Sequence, residues 1–94
     1  MNKLRDYSLV KKGDILTVAC KDAVWEAHIE RMYSKTIVCS LTNNNGRLMV
    51  FSRKTGKNIS GTSEPALLLN IRYKPGDDLA VNLLGKMLLS NKED

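Results

Sequence analysis

Between Ile15 and Tyr73 the chain alternates short apolar runs with polar breaks that carry glycine, asparagine or lysine, and this rhythm predicts about five strands. Gly13–Asp14 marks a turn, and the run after it, Ile15–Cys20, is apolar on both faces, as an interior strand is. Beyond a turn at Lys21–Asp22, Val24–Tyr33 sets Trp25, Ala27 and Ile29 on one face and Glu26, His28 and Glu30 on the other, the period of a half-buried strand. Ser34–Lys35 suits a tight hairpin, and Thr36–Thr42 then sets Ile37, Cys39 and Leu41 against Thr36, Val38 and Ser40. Asn43-Asn44-Asn45-Gly46 is the clearest local signal, because Asn-Gly accepts the positive φ angles of a hairpin turn. A two-residue loop sets Leu41 opposite Val50, and a four-residue loop sets it opposite Leu48. Both predict that Leu48 and Val50 share the face of Ile37, Cys39 and Leu41. Arg47–Arg53 is the next strand, Lys54–Asn58 a turn, and Ile59–Pro65 a loop rich in Ser, Thr and Gly. Ala66–Tyr73 reads as a buried strand, since its length and its flanking Pro65 and Pro75 fit a strand better than a helix.

The period changes after Lys74-Pro75-Gly76, a break that keeps the preceding residue out of the helical region. Gly76 or Asp77 caps a helix over Leu79–Ser90, with Asp78 in its first turn where the helix dipole favours an anion. At 100° per residue, Leu79, Ala80, Val81, Leu83, Leu84, Met87 and Leu88 cover an arc of roughly 200°. Asn82, Gly85, Lys86 and Ser90 make the polar side, with Leu89 out of place among them. So wide an arc has two readings: a helix sunk into a groove of its own domain, or a helix that rests on the β domain with one part and meets a second partner with the rest. The expected organisation is a single domain over 1–94, a β-barrel over 8–73 with a C-terminal helix over 77–91, and no internal repeats.

Composition sharpens this picture only in places. With 94 residues the chain makes one domain with a thin core, and a hydrophobic fraction of 43% argues against disorder. Aromatics are few, so Ile, Leu, Val and Met must fill the interior. The charged opening, Met1–Asp6, lacks the apolar stretch of a secretory signal, and no run approaches membrane-spanning length. The expectation is therefore a cytoplasmic protein, no membrane, and two buried reduced thiols at Cys20 and Cys39 rather than a disulfide.

Candidate chemistry is sparse. The lone histidine, His28, projects from its strand beside Glu26 and Glu30, which could form a carboxylate–imidazole cluster. A metal site needs three or four convergent ligands with support behind them, so a solvated strand face explains the trio better. The two cysteines lack the close spacing of zinc or redox motifs. Lys54-Thr55-Gly56 and Gly56-Lys57 match fragments of catalytic and phosphate-loop motifs, but the residues that complete those motifs are missing. The expectation is no enzyme, no cofactor and no metal. The net charge of +5 is a mild basic bias, and its residues gather at strand ends: Arg31 and Lys35 flank one turn, and Arg53, Lys54 and Lys57 surround the next. Such a rim could hold phosphates by charge, with Tyr33 or Phe51 offering a stacking surface.

Lys12-Gly13-Asp14 leading into Ile15–Val18, the pair Ile29–Met32 and Thr36–Leu41 joined at Ser34-Lys35, and then Gly46-Arg47, Phe51 and Thr55-Gly56 resemble the small SH3-like β-barrel proteins of phages and prophages. The resemblance spans about residues 8 to 60. It departs at Tyr33-Ser34-Lys35, where Gly-Arg-Lys is usual, and in the C-terminal helix. What it implies is the fold, mainly β and a small SH3-like antiparallel barrel or curled sheet with a C-terminal amphipathic helix, together with a mobile-element setting; it implies no catalytic residue.

Two functions compete. The first is a non-enzymatic binding or adaptor module that contacts a protein, or a second copy of itself, through Leu79, Leu83, Leu84, Met87 and Leu88. The alternative is a nucleic-acid-binding barrel that meets DNA or RNA with Arg31, Lys35, Arg53, Lys54 and Lys57.

Overall fold

The computed structural model describes residues 3–20, 23–42, 45–60 and 65–90. Five antiparallel strands form one curled sheet: β1 (Ile15–Cys20), β2 (Val24–Met32), β3 (Thr36–Leu41), β4 (Arg47–Ser52) and β5 (Ala66–Leu69), in the order β4-β3-β2-β1-β5. A helix, α1 (Asp78–Ser90), follows. The protein is thus mainly β, a half-barrel with a C-terminal helix, as the alternation and the resemblance led one to expect. Among the described residues no helix is long and apolar enough to cross a membrane.

The strands form where period-two alternation allows one face to be buried. On the concave face Leu16 and Val18 of β1, Ala27 and Ile29 of β2, and Ile37, Cys39 and Leu41 of β3 pack together, all under a tenth exposed. Trp25 is only half-buried and packs against the edge of this core. β1 pairs with β2 on one edge and β5 on the other, and α1 covers its second face at Ala19, so both faces of its sequence are apolar. The N-terminal segment adds Tyr7 and Val10 to the core, while Leu9 stays 89% exposed.

The facing of β4 corrects the expected register. Leu41 pairs with Arg47, so an odd number of residues, five, separates the two partners in the chain. Parity therefore reverses: Met49 and Phe51 point inward beside Cys39 and Ile37, both fully buried, and Leu48 and Val50 turn to the outer face. Leu48 is 62% exposed there. A one-residue change in a hairpin loop flips every side chain of the following strand. Asn45 and Gly46 take positive φ, 56° and 70°, as the Asn-Gly pair predicts, and the difference lies in the number of residues between the strands.

The edges of the sheet meet through a segment whose sequence reads as turn and loop. Ser52 N donates to Lys57 O and Ile59 N to Val50 O on the β4 side. On the β5 side Asn58 N donates to Ala66 O and Leu68 N to Gly56 O. Gly56–Ile59 thereby ties β4 to β5, a closure invisible to period-two reasoning because these residues are polar and do not alternate. β5 itself is shorter than expected: past Leu69 the chain bends, Asn70 N donates to Leu4 O, and Ile71–Tyr73 leave the sheet.

Two acidic protons lie deep in this core. Burial pushes the Cys39 thiol up to about 12, with the Glu30 charge adding to the effect. Burial also raises the Tyr7 phenol well above its ordinary value, opposed by Arg5. The folded state therefore holds protons that the unfolded chain releases from about 9.0 and 10.0 upward. Stability is fully present below the unfolded thiol value and is lost as pH climbs toward the folded one. The unfolding free energy from urea titration should fall by on the order of 2 kcal/mol between about pH 8 and pH 10.5, and Cys39→Ala should remove most of that slope. A profile equally steep in the variant would place the titrating group elsewhere.

Candidate functional site

α1 begins just after Lys74-Pro75-Gly76. Asp77 N donates to Lys74 O, and Val81 N to Asp77 O, closing the first turn. The helix lies on the outer face of β1 and β5, where Val81, Leu84 and Leu88 pack against Ala19, Leu67 and Leu69. Gly85 is buried at the centre of this contact, and a Cβ added to it would overlap the Ala19 side chain. Here the expected polar side is corrected. Gly85 belongs to the buried face because its lack of a side chain lets the helix approach β1, not because it is at home in water. The side chain of Leu89 lies outside the described residues.

The expected interface divides accordingly. Leu84 and Leu88 are half-buried against the sheet and serve the fold. Leu79, Leu83 and Met87, spaced one turn apart, remain 74%, 54% and 68% exposed. The 200° arc thus covers two surfaces, one bound to the protein's own sheet and one open.

The basic residues divide too. Arg53 N donates to Lys35 O across the end of β3 and β4, and Arg53 Nη1 donates to the Tyr33 carbonyl at 2.8 Å. These bonds draw Lys35, Arg53 and Lys54, with Ser34 and Ser52, around one open depression of about 440 Å³. Tyr33 stands next to it in the turn, 47% exposed. Arg31 is exposed two residues upstream, opposite Val38. Lys57 sits in the closing segment opposite Leu67 and does not line the depression. Phe51 is fully buried, so it is a core residue and offers nothing for stacking. The contribution of Ser34 and Ser52 was illegible in the sequence, since both look like ordinary turn residues until β4 folds back beside the β2–β3 turn.

Glu26, His28 and Glu30 take different partners. His28 Nε2 contacts a Glu26 carboxylate oxygen. Glu30 instead accepts a 2.7 Å hydrogen bond from the Ser40 hydroxyl. Ser40 is the cross-strand partner of His28, and the register of β2 shifts between Ile29 and Arg31, at Glu30. Among the described residues no group of three His, Cys, Asp or Glu side chains is placed to hold a metal ion.

No family model, curated protein or solved structure matches this chain.

Proposed function

We propose that this protein is a small non-enzymatic binding module, of the phage- or prophage-type SH3-like kind, that acts in the cytoplasm through protein–protein contacts made by the outer face of α1. The observation that carries this reading is the division of α1 into a sheet-bound face and an open apolar stripe of Leu79, Leu83 and Met87. A surface helix on a single domain ordinarily keeps its solvent side polar, and a second apolar stripe is what a second packing partner requires. The i, i+4, i+8 spacing makes the stripe a ridge of the type that slots into a groove. Three such side chains expose on the order of 350 Å², short of the ~800 Å² per partner of a stable flat interface. The best-fitting partner is therefore a protein that cups the helix in an apolar groove, not a flat two-fold pairing of α1 with itself.

A photo-crosslinking residue at position 83, expressed in the native cell, tests this. We expect one discrete adduct, lost when Leu79→Asp or Met87→Asp is added, with the thermal midpoint of the purified variants unchanged. An adduct of twice the chain's mass would replace the groove with a second copy. No adduct, or one indifferent to both substitutions, overturns the reading.

A further inference from the structure

We infer that the depression at the β2–β3 turn binds the phosphodiester backbone of a single-stranded nucleic acid, with Tyr33 as a stacking platform for a base. This site lies on the sheet end, away from the α1 stripe, and does not depend on the role given to that stripe.

Charge is the first argument. Lys35, Arg53 and Lys54 surround one depression, and among the described residues none of the three has a carboxylate within ion-pair distance. Cations that serve only solubility spread apart to lower their mutual repulsion. Here backbone hydrogen bonds hold two of them side by side: Arg53 N on Lys35 O, and the Arg53 guanidinium on the Tyr33 carbonyl. Holding like charges together stores repulsion that an anion relieves.

Donor geometry is the second. With Nη1 committed to Tyr33 O, the Arg53 guanidinium is oriented and its other N–H groups keep no protein acceptor among the described residues. The Ser52 hydroxyl oxygen already accepts from the backbone N–H groups of Lys54 and Thr55, at 3.2 Å each, so its own proton is available to donate. Ser34 adds a further hydroxyl at the rim. Oriented guanidinium, ammonium and hydroxyl donors around one space are the set that phosphate oxygens accept.

The shape selects the ligand class. An open depression cannot enclose a small molecule on most of its surface, as tight small-ligand sites do. It can bind a polymer that adds weak contacts along its length. Tyr33, exposed beside the cations, offers a ring face, which a single strand can use and a stacked duplex cannot.

The test is fluorescence anisotropy of a labelled oligothymidylate, an oligouridylate of equal length and the matching duplex, titrated with the full chain at several salt concentrations. For three phosphate contacts the log–log salt slope on single strands should be about −2. Lys35→Ala with Lys54→Ala should weaken binding at least tenfold and cut the slope to about −0.7, whereas Lys11→Ala with Lys12→Ala removes equal charge and should change affinity less than about twofold. Tyr33→Ala should cost at least about fivefold with the salt slope unchanged, the mark of stacking rather than charge. Four outcomes overturn the inference. These are no binding to either oligonucleotide at low salt, equal losses in the two lysine pairs, duplex binding as tight as single-strand binding, and a Tyr33→Ala variant that binds normally.

Discussion

Gly56→Ala should destabilise the protein by about 3 kcal/mol or more, the largest loss expected from any single methyl group added to this chain. Gly56 has φ +79°, a region in which a Cβ is strained by itself. The added carbon would also overlap the Tyr7 hydroxyl and come within 2.9 Å of the Leu68 carbonyl oxygen, which is backbone and has little room to yield. The displaced hydroxyl is the one that donates to Leu68 O in the buried core. Gly56 further ties the closure between β4 and β5, since its N–H donates to Ser52 O and its carbonyl accepts from Leu68 N. Strain, overlap and a broken buried hydrogen bond thus act at one point. Urea unfolding measures the loss, and the double variant with Tyr7→Phe should be less destabilised than the two single losses summed, because removing the hydroxyl removes part of the overlap. A loss under about 1 kcal/mol would mean that the N-terminal segment is not seated against this turn.

Gly85→Ala should also destabilise, by about 1–3 kcal/mol, although alanine is the better helix former by about 1 kcal/mol. At an exposed helical position the propensity gain would dominate. Here the new methyl meets the Ala19 side chain on β1, with the β1 backbone only 3.6 Å away at Ala19 Cα, so α1 must lift off the sheet. The lift loosens Val81, Leu84 and Leu88 from Leu67 and Leu69, and it moves the open stripe of Leu79, Leu83 and Met87 as well. Exchanging the two sizes, Ala19→Gly with Gly85→Ala, should recover most of the loss, because the volume at the contact is conserved. Thermal denaturation of the four proteins in the cycle checks this. Gly85→Ala as stable as the parent, or a pair that is worse than either single change, would show that the helix does not rest on β1 at this residue.

These two glycines also mark how far the sequence could be read. β2 and β3 were legible because each has one face in the core, and burying one face writes a period of two into the residues; β1 and β4 were legible as short apolar runs between turn residues. The helix was legible from Pro75-Gly76, Asp78 and a change of period. A glycine on a helical wheel carries no side chain to report its environment, so nothing local in the sequence marks Gly85 as part of the face buried against Ala19. Gly56 looked like a turn residue, which it is, but its contact with Tyr7 joins positions far apart in the chain. The candidate sites were legible only as collections of residue types. Positive charge at turns was visible, whereas the selection of Lys35, Arg53 and Lys54 over Lys57 and Arg31 needed the pairing of β3 with β4.

Local chemistry alone determined the strands from Ile15 to Ser52, the helix after Pro75, the positive φ at Asn45 and Gly46 and the inward face of Ile37, Cys39 and Leu41, because each follows from neighbours a few residues apart. Tertiary structure alone decided that Met49 and Phe51 point inward where Leu48 and Val50 were expected, that Gly56–Ile59 closes the sheet, and that α1 divides its apolar arc between the sheet and the open. Loop parity, edge closure and the face a helix presents are set by contacts between segments distant in sequence, and no local period records them.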